Sequence, residues 1–455
     1  MLLRTLCVTV GLLLAIIDTP ARAVPSFAAQ TGQPCSTCHI GAFGPQLTPF
    51  GREFKIEGYT MTSGEGLASR IPLAAMALGS FTHTKTAQPE PPHDFGTNNN
   101  FAFDQVSLFF AGRITDFAGA FIQGTYSGTD RAFSLDNTDI RFTTPTPLSF
   151  DSTELRVGAS INNGPTVQDP FNSTPVWMFP FAVSGVAPTP AAATLLGGGG
   201  LQGNSLGVTV NGWYDRHLYL DVGGYGTYGP SLLSATGNSL NQGATSNIAP
   251  YGRIAYQWDW GTQAAHIGAL VLSANINPAI SEHTADGSFG HNRYTDWGID
   301  AGYQFLGDGT HIGTAYVLFV RENQDLTASF NQGDSSRTGS ALNQVNFNAS
   351  YFFRNTYGLA FGWQYVWGKP NPLLFPPAPV TGSANGKPNS NAFIVEADRI
   401  PFGKEDSWAQ PFANLKIGLQ YTAYTRFNGG TNNYDGSGRD ASDNNTVFLY
   451  AWTAF

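Results

Sequence analysis

Charge is scarce in this 455-residue chain. Asp, Glu, Lys and Arg make up 12% of it, about half of the usual quarter for a soluble domain. With 23 Lys and Arg in all, it has too little of the charged helix-former composition that coiled coils require. A net charge of -9 beside 13% aromatic residues is not the composition of a disordered chain. That acidic balance, with the export address read below, also argues against nucleic acid as a partner. After the N-terminus no stretch reaches 18 uninterrupted apolar residues, which excludes a transmembrane helix. Cysteine and methionine are rare, at 3 and 4 residues. There is no collagen-like repeat among the 53 glycines, no H-E-x-x-H, and no Lys-Ser/Thr after the run Gly197–Gly200 to make a phosphate loop. What is abundant is Gly, Tyr and Phe, the mixture expected of a large all-β protein with lipid around it.

Residues 1–23 read as a secretory signal peptide. Arg4 precedes an apolar core from Leu6 to Ile17, and Ala21-Arg22-Ala23 is an A-x-A cleavage site. The core is shorter than the roughly 20 residues of a membrane span. Cys7 leaves with this segment, so the exported chain keeps two cysteines.

Those two stand in Cys35-Ser36-Thr37-Cys38-His39. C-x-x-C-H is the attachment pattern of c-type haem. Two thiols at this spacing add to the two porphyrin vinyl groups, and the adjacent imidazole becomes an axial iron ligand. A thioredoxin-like pair would want a βαβ context, and a zinc site further Cys or a paired His close by; both are missing, and a disulfide is the remaining alternative. The motif therefore predicts one covalent haem c on Cys35 and Cys38, with His39 as proximal ligand. Residues 24–69 form the head around it, with Phe43, Leu47, Phe50 and Phe54 as apolar matter and a helical turn over 51–55. So short a segment needs a cofactor or a wall to complete its core. Met61, 22 positions beyond His39, is the first candidate for the distal ligand, and His83 the second.

From residue 70 to 455 the pattern has period two. Trp297, Ile299, Ala301, Tyr303 and Phe305 alternate with Asp296, Gly298, Asp300, Gly302 and Gln304, and similar runs cover 344–354 and 415–426. Apolar residues facing lipid and polar ones facing a lumen give this alternation. Sixteen candidate strands follow, from 70–82 through 101–115, 199–213 and 409–426 to 444–455. Tight turns such as Asp116, Asp215 and Arg354-Asn355 alternate with long connections such as 83–100 and 161–198. That plan, and the alternating last strand ending in Phe455, predict an all-β fold: an outer-membrane antiparallel β-barrel of about 16 strands. The lumen of such a barrel is wide, so the haem head is expected to plug it. Asp296, Asp300, Lys416 and Arg426 are expected as solvated pore residues, and His217, His266 and His311 as membrane-interface residues at strand starts. The acidic loop residues Glu90, Asp94, Glu282, Asp286, Asp325 and Asp334 serve loop solubility first and the gathering of cations second.

Phe27-Ala28-Ala29-Gln30-Thr31-Gly32, the C-x-x-C-H, Phe50-Gly51-Arg52-Glu53-Phe54-Lys55 and Gly58-Tyr59 resemble the Cyc2-like family of fused outer-membrane cytochrome–porins, the iron oxidases. The segment Asn172–Phe181 looks like that family too. The resemblance implies a monohaem cytochrome c plug in a porin-like barrel and one-electron oxidation of extracellular Fe(II). By motif it places the haem on Cys35 and Cys38 with His39 as proximal ligand. Oxidation at the surface keeps insoluble Fe(III) outside, and a periplasmic cytochrome or copper protein then takes the electron. A reduced sulfur compound, an organic shuttle or an electrode as donor, and a haem-gated transport porin, are the alternatives.

Overall fold

The computed structural model describes residues 25–64, 71–197, 200–240 and 242–455. The expected signal peptide, 1–23, lies outside the described residues.

Sixteen long antiparallel strands are found among the described residues. They are β1 Leu73–Thr84, β2 Asn100–Thr115, β3 Ala118–Ser127, β4 Ala132–Thr143, β5 Thr153–Asn162, β6 Ser205–Tyr214, β7 Leu218–Thr227 and β8 Ala249–Asp259. The second half comprises β9 Gln263–Pro278, β10 Asn292–Phe305, β11 His311–Asp325, β12 Gly339–Phe353, β13 Tyr357–Gly368, β14 Ser390–Arg399, β15 Asn414–Arg426 and β16 Thr446–Ala454. Two three-residue rungs extend the edges: Leu148–Phe150 pairs with β5, and Gly243–Thr245 with β9. Each strand pairs with its neighbours in sequence, and β1 pairs with both β2 and β16. Closure satisfies every edge, as a sheet in hydrocarbon must. At the seam Ala75 and Phe455 exchange two backbone hydrogen bonds of 2.7 and 2.9 Å.

Strand alternation sorts the side chains. Leu108, Val210, Ile254, Ile299 and Leu419 point outward and are exposed, an apolar band too extensive for water and matched to lipid. Arg253, Asp296, Asp300, Glu396 and Lys416 point inward. The barrel is thus of the outer-membrane type, and the sixteen expected strands are present with ends shifted by a few residues. Asp215 and Arg216 both have positive φ, as do Arg354 and Asn355; two such residues in a row make the primed turn that suits the twist of paired strands. These tight turns gather at one end. Most of the long connections gather at the other. The connection 400–413 is a longer excursion at the short-turn end.

One long connection does not stay outside. Residues 163–197 and 200–204 fold back into the lumen, where Val167, Phe171, Ser173 and Thr174 are fully buried. Asn346 Nδ2 donates to the Phe179 carbonyl at 3.0 Å, and Glu322 accepts from Leu195 N at 2.5 Å. A Gly- and Pro-rich segment carries no periodicity to reveal this path, and its partners lie more than a hundred residues away. The inner loop and the head together fill the barrel. Asp296, Asp300 and Lys416 are consequently not solvated pore residues: each is buried and paired. Arg426 is exposed at the end of β15.

Candidate functional site

Residues 25–64 occupy the short-turn half of the lumen. They form three short helices, α1 Pro25–Thr31, α2 Cys35–Cys38 and α3 Pro49–Ile56. Thr48 caps α3, its hydroxyl accepting from Gly51 N at 3.2 Å, and Pro49 follows at a position that lacks an N–H without cost. The helical turn expected over 51–55 is therefore part of a longer helix. Gly51 lets α3 rest on the motif: a Cβ there would fall 2.3 Å from the Cys38 carbonyl oxygen.

Inward side chains of the wall hold the head, chiefly by its backbone. Asn414 Nδ2 donates to Ala42 O, and Gln304 Nε2 to Leu47 O, both at 2.7 Å. Arg141 Nη1 donates to Lys55 O at 3.1 Å, and Tyr59 OH to Asp139 Oδ2 at 2.7 Å. Gln410 Oε1 accepts from Cys35 N at 3.0 Å. Backbone groups that a small head cannot pair internally are thus paired by the barrel.

Cys35, Cys38 and His39 open together on a cavity of ≈ 340 Å³ between the head, the inner loop and the wall. Both cysteines are free thiols. Burial pushes the Cys35 thiol up and the Cys38 thiol up to about 12, so both stay protonated. Burial also pushes His39 down to about 4, which leaves a neutral imidazole with a lone pair to give. Of the expected apolar residues, Phe43, Leu47 and Phe54 line this cavity; Phe50 instead lines a wider opening of ≈ 860 Å³ at the short-turn end, together with Ser36, Thr37 and His39. The motif therefore stands between an inner chamber and one mouth of the barrel.

Met61 does not line the inner chamber; its carbonyl accepts from Gln30 Nε2 at 2.7 Å. His83 is exposed on β1 and bonds Asn99 at 2.8 Å through Nδ1. Two methionines do line the chamber, Met76 on β1 and Met178 on the inner loop. Trp177 lines it beside Met178, and Lys55 reaches across, donating to Val167 O at 2.8 Å and Asn172 Oδ1 at 3.0 Å. The inner loop was legible only as a segment of familiar sequence, not as a wall of the site.

A buried ion network packs behind α3. Arg253 bonds Asp169 Oδ1 at 2.9 Å and both oxygens of Asp300 at 2.7 and 3.1 Å. His266 lies 3.3 Å from Asp300 and 4.8 Å, ring to ring, from Phe171. It is a lumenal residue rather than the membrane-interface residue its place near the strand start suggests. His217 and His311 do sit at the short-turn end, against Tyr256 and Tyr351. Among the described residues no three His, Cys, Asp or Glu side chains gather as a metal site.

No family model matches the chain, and no curated protein matches it. Among solved structures it is similar to OmpF of Salmonella typhi, at 12% identity over 84% of this chain and 97% of that one, with a TM-score of 0.46. It is similar to the outer membrane channel DcaP of Acinetobacter baumannii at 14% identity, over 84% and 96% of the two chains, with a TM-score of 0.44. For the anion-selective porin from Comamonas acidovorans the values are 11% identity, 84% and 98% coverage, and 0.44. The chain is a closed antiparallel β-barrel of sixteen long strands with an apolar outer band and its own N-terminal segment, residues 25–64, seated in the lumen.

Proposed function

We propose that the chain is an electron conduit of the outer membrane, with residues 24–69 as a monohaem cytochrome c plug and 70–455 as its barrel. The observation that carries this reading is the joint placement of Cys35, Cys38 and His39 on one apolar chamber inside a filled lumen. The donor set fits haem c. Two thiols at C-x-x-C spacing are available for thioether bonds, a neutral imidazole follows at once, and Phe43, Phe54 and Trp452 supply the apolar surround that raises a haem potential. Haem supplies reversible one-electron chemistry when bound. Everything else is the chain's work. The β-strands carry the site through hydrocarbon, the wall side chains hold the head, and the inner loop excludes water from above. The wide opening at the short-turn end gives a soluble periplasmic carrier, a cytochrome or copper protein, access to the motif.

The donor we propose is extracellular Fe(II), which loses one electron and stays outside as Fe(III). The filled lumen favours passage of electrons over passage of solutes. The test is spectral. Protein purified from outer membranes is expected to keep haem after denaturation, and Fe(II) is expected to reduce it. Reduction by dithionite but not by Fe(II) removes iron as the donor and leaves a sulfur compound, an organic shuttle or an electrode. A colourless denatured protein with both thiols open to alkylation removes the conduit.

A further inference from the structure

We infer that Met178, on the inner loop, supplies the second axial ligand to the iron whose first is His39. This rests on the haem reading above and names a residue that the motif does not. A c-type haem with one imidazole leaves a coordination position that a thioether or a second imidazole fills. Of the two methionines that line the chamber, Met76 packs into the apolar cluster of Ile40 and Phe43, the residues that follow His39. Met76 thus shares its packing with the chain that directly follows His39. Met178 packs against a different cluster, built from Leu195, Leu196, Leu270 and neighbours, which contains no residue of the head. It therefore reaches the chamber from the inner loop, out of a cluster separate from that of Ile40 and Phe43, which the inner loop joins only further on, at Phe181 and Ala182.

The residues on both sides of Met178 are held, one by its side chain and the other by its backbone, as a preorganised ligand requires. The Trp177 indole Nε1 donates to Thr166 O and Val167 O at 3.1 and 3.2 Å. The Phe179 carbonyl accepts from Asn346 Nδ2 at 3.0 Å and from Gln364 Nε2 at 3.3 Å, both on the barrel wall. Met178 also lines a second cavity of ≈ 270 Å³ on the long-loop side, together with Phe179, Pro180 and Tyr424. One side chain thus borders both the chamber of the motif and the space that opens towards the long loops. A thioether there does two things: it raises the haem potential relative to histidine, and it puts the ligand on the path an incoming electron takes.

The experiment compares Met178→Leu, Met178→His, Met76→Leu and Met61→Leu with the parent chain. All are purified as full-length barrels whose folding is checked by heat-modifiable gel migration. Covalent haem in the denatured parent tests the haem reading by itself; its absence ends that reading and this inference with it. With haem present, the oxidised parent is expected to show the weak far-red charge-transfer band of sulfur–iron(III) ligation. The band is expected to vanish in Met178→Leu and to persist in Met76→Leu and Met61→Leu. Met178→His is expected to be low-spin, without the band and with a lower potential. Asn346→Leu combined with Gln364→Leu, which leaves Met178 in place, is expected to weaken the band. A band that survives Met178→Leu, that disappears in Met61→Leu or Met76→Leu instead, or that the haem-bearing parent lacks overturns the assignment.

Discussion

The Lys55 ammonium of the head sits 4.7 Å from the centre of the Trp177 ring on the inner loop. It is buried there, and burial holds its pKa down to about 7, against 10.5 when exposed. Between those values the unfolded chain binds the proton more tightly than the folded one, so stability rises as pH climbs. The thermal transition of the head, followed by tryptophan fluorescence, is expected to move up between about pH 7 and about pH 9. Lys55→Met is expected to flatten that dependence. It also removes two hydrogen bonds and the ring contact, at a cost of about 1–3 kcal/mol near neutral pH.

Arg253 is the keystone of the buried ion network, with bonds to Asp169 and Asp300. Arg253→Ala strands two carboxylates away from water and is expected to cost about 3–5 kcal/mol. Urea titration of the detergent-solubilised barrel measures it. Adding Asp169→Asn and Asp300→Asn is expected to restore a large part of the loss. If the triple variant is no more stable than the single one, the damage lies in packing rather than charge.

Gly51→Ala tests the contact between α3 and the motif. Its Cβ meets the Cys38 carbonyl, a backbone atom that cannot swing aside, whereas Gly229→Ala meets nothing within 4 Å. The first is expected to cost about 1–3 kcal/mol and to lower the haem retained per barrel after denaturation. The second is expected to change neither quantity.

A filled lumen has an electrical signature. In planar bilayers the intact chain is expected to conduct far less than an open barrel of sixteen strands, whose lumen is an aqueous channel. Removal of residues 25–64, which takes away the groups held by Asn414, Gln304 and Arg141, is expected to raise the current. Steady porin-like conductance by the intact chain would contradict the packing described above.

Much of the barrel was legible because period-two alternation is written along each strand. Trp297, Ile299 and Tyr303 face out, and Asp296 and Asp300 face in, as their spacing requires. The cysteine motif was legible because its chemistry is local to five residues. What stayed hidden depends on contacts remote in sequence. Nothing around Asp300 reveals that Arg253 lies opposite it, and a polar inward residue looks the same whether it meets water or a partner. The inward fold of 163–197 was hidden for the same reason. Its anchors, Glu322, Asn346 and Gln420, become neighbours only when the barrel closes. Met178 carried one faint signal, as one of four methionines, inside the segment Asn172–Phe181 that resembles the cytochrome–porins.

The seam between β1 and β16 has a bearing on biogenesis. The head precedes β1, yet it ends up enclosed by strands up to β16, after which Phe455 locks onto Ala75. The inner chamber lies behind the motif as seen from the short-turn mouth, and the inner loop covers it from the other side. On the haem reading proposed above, attachment at Cys35 and Cys38 would precede the pairing of β16 with β1, so geometry would set the order of maturation: loading first, zipping of the wall afterwards.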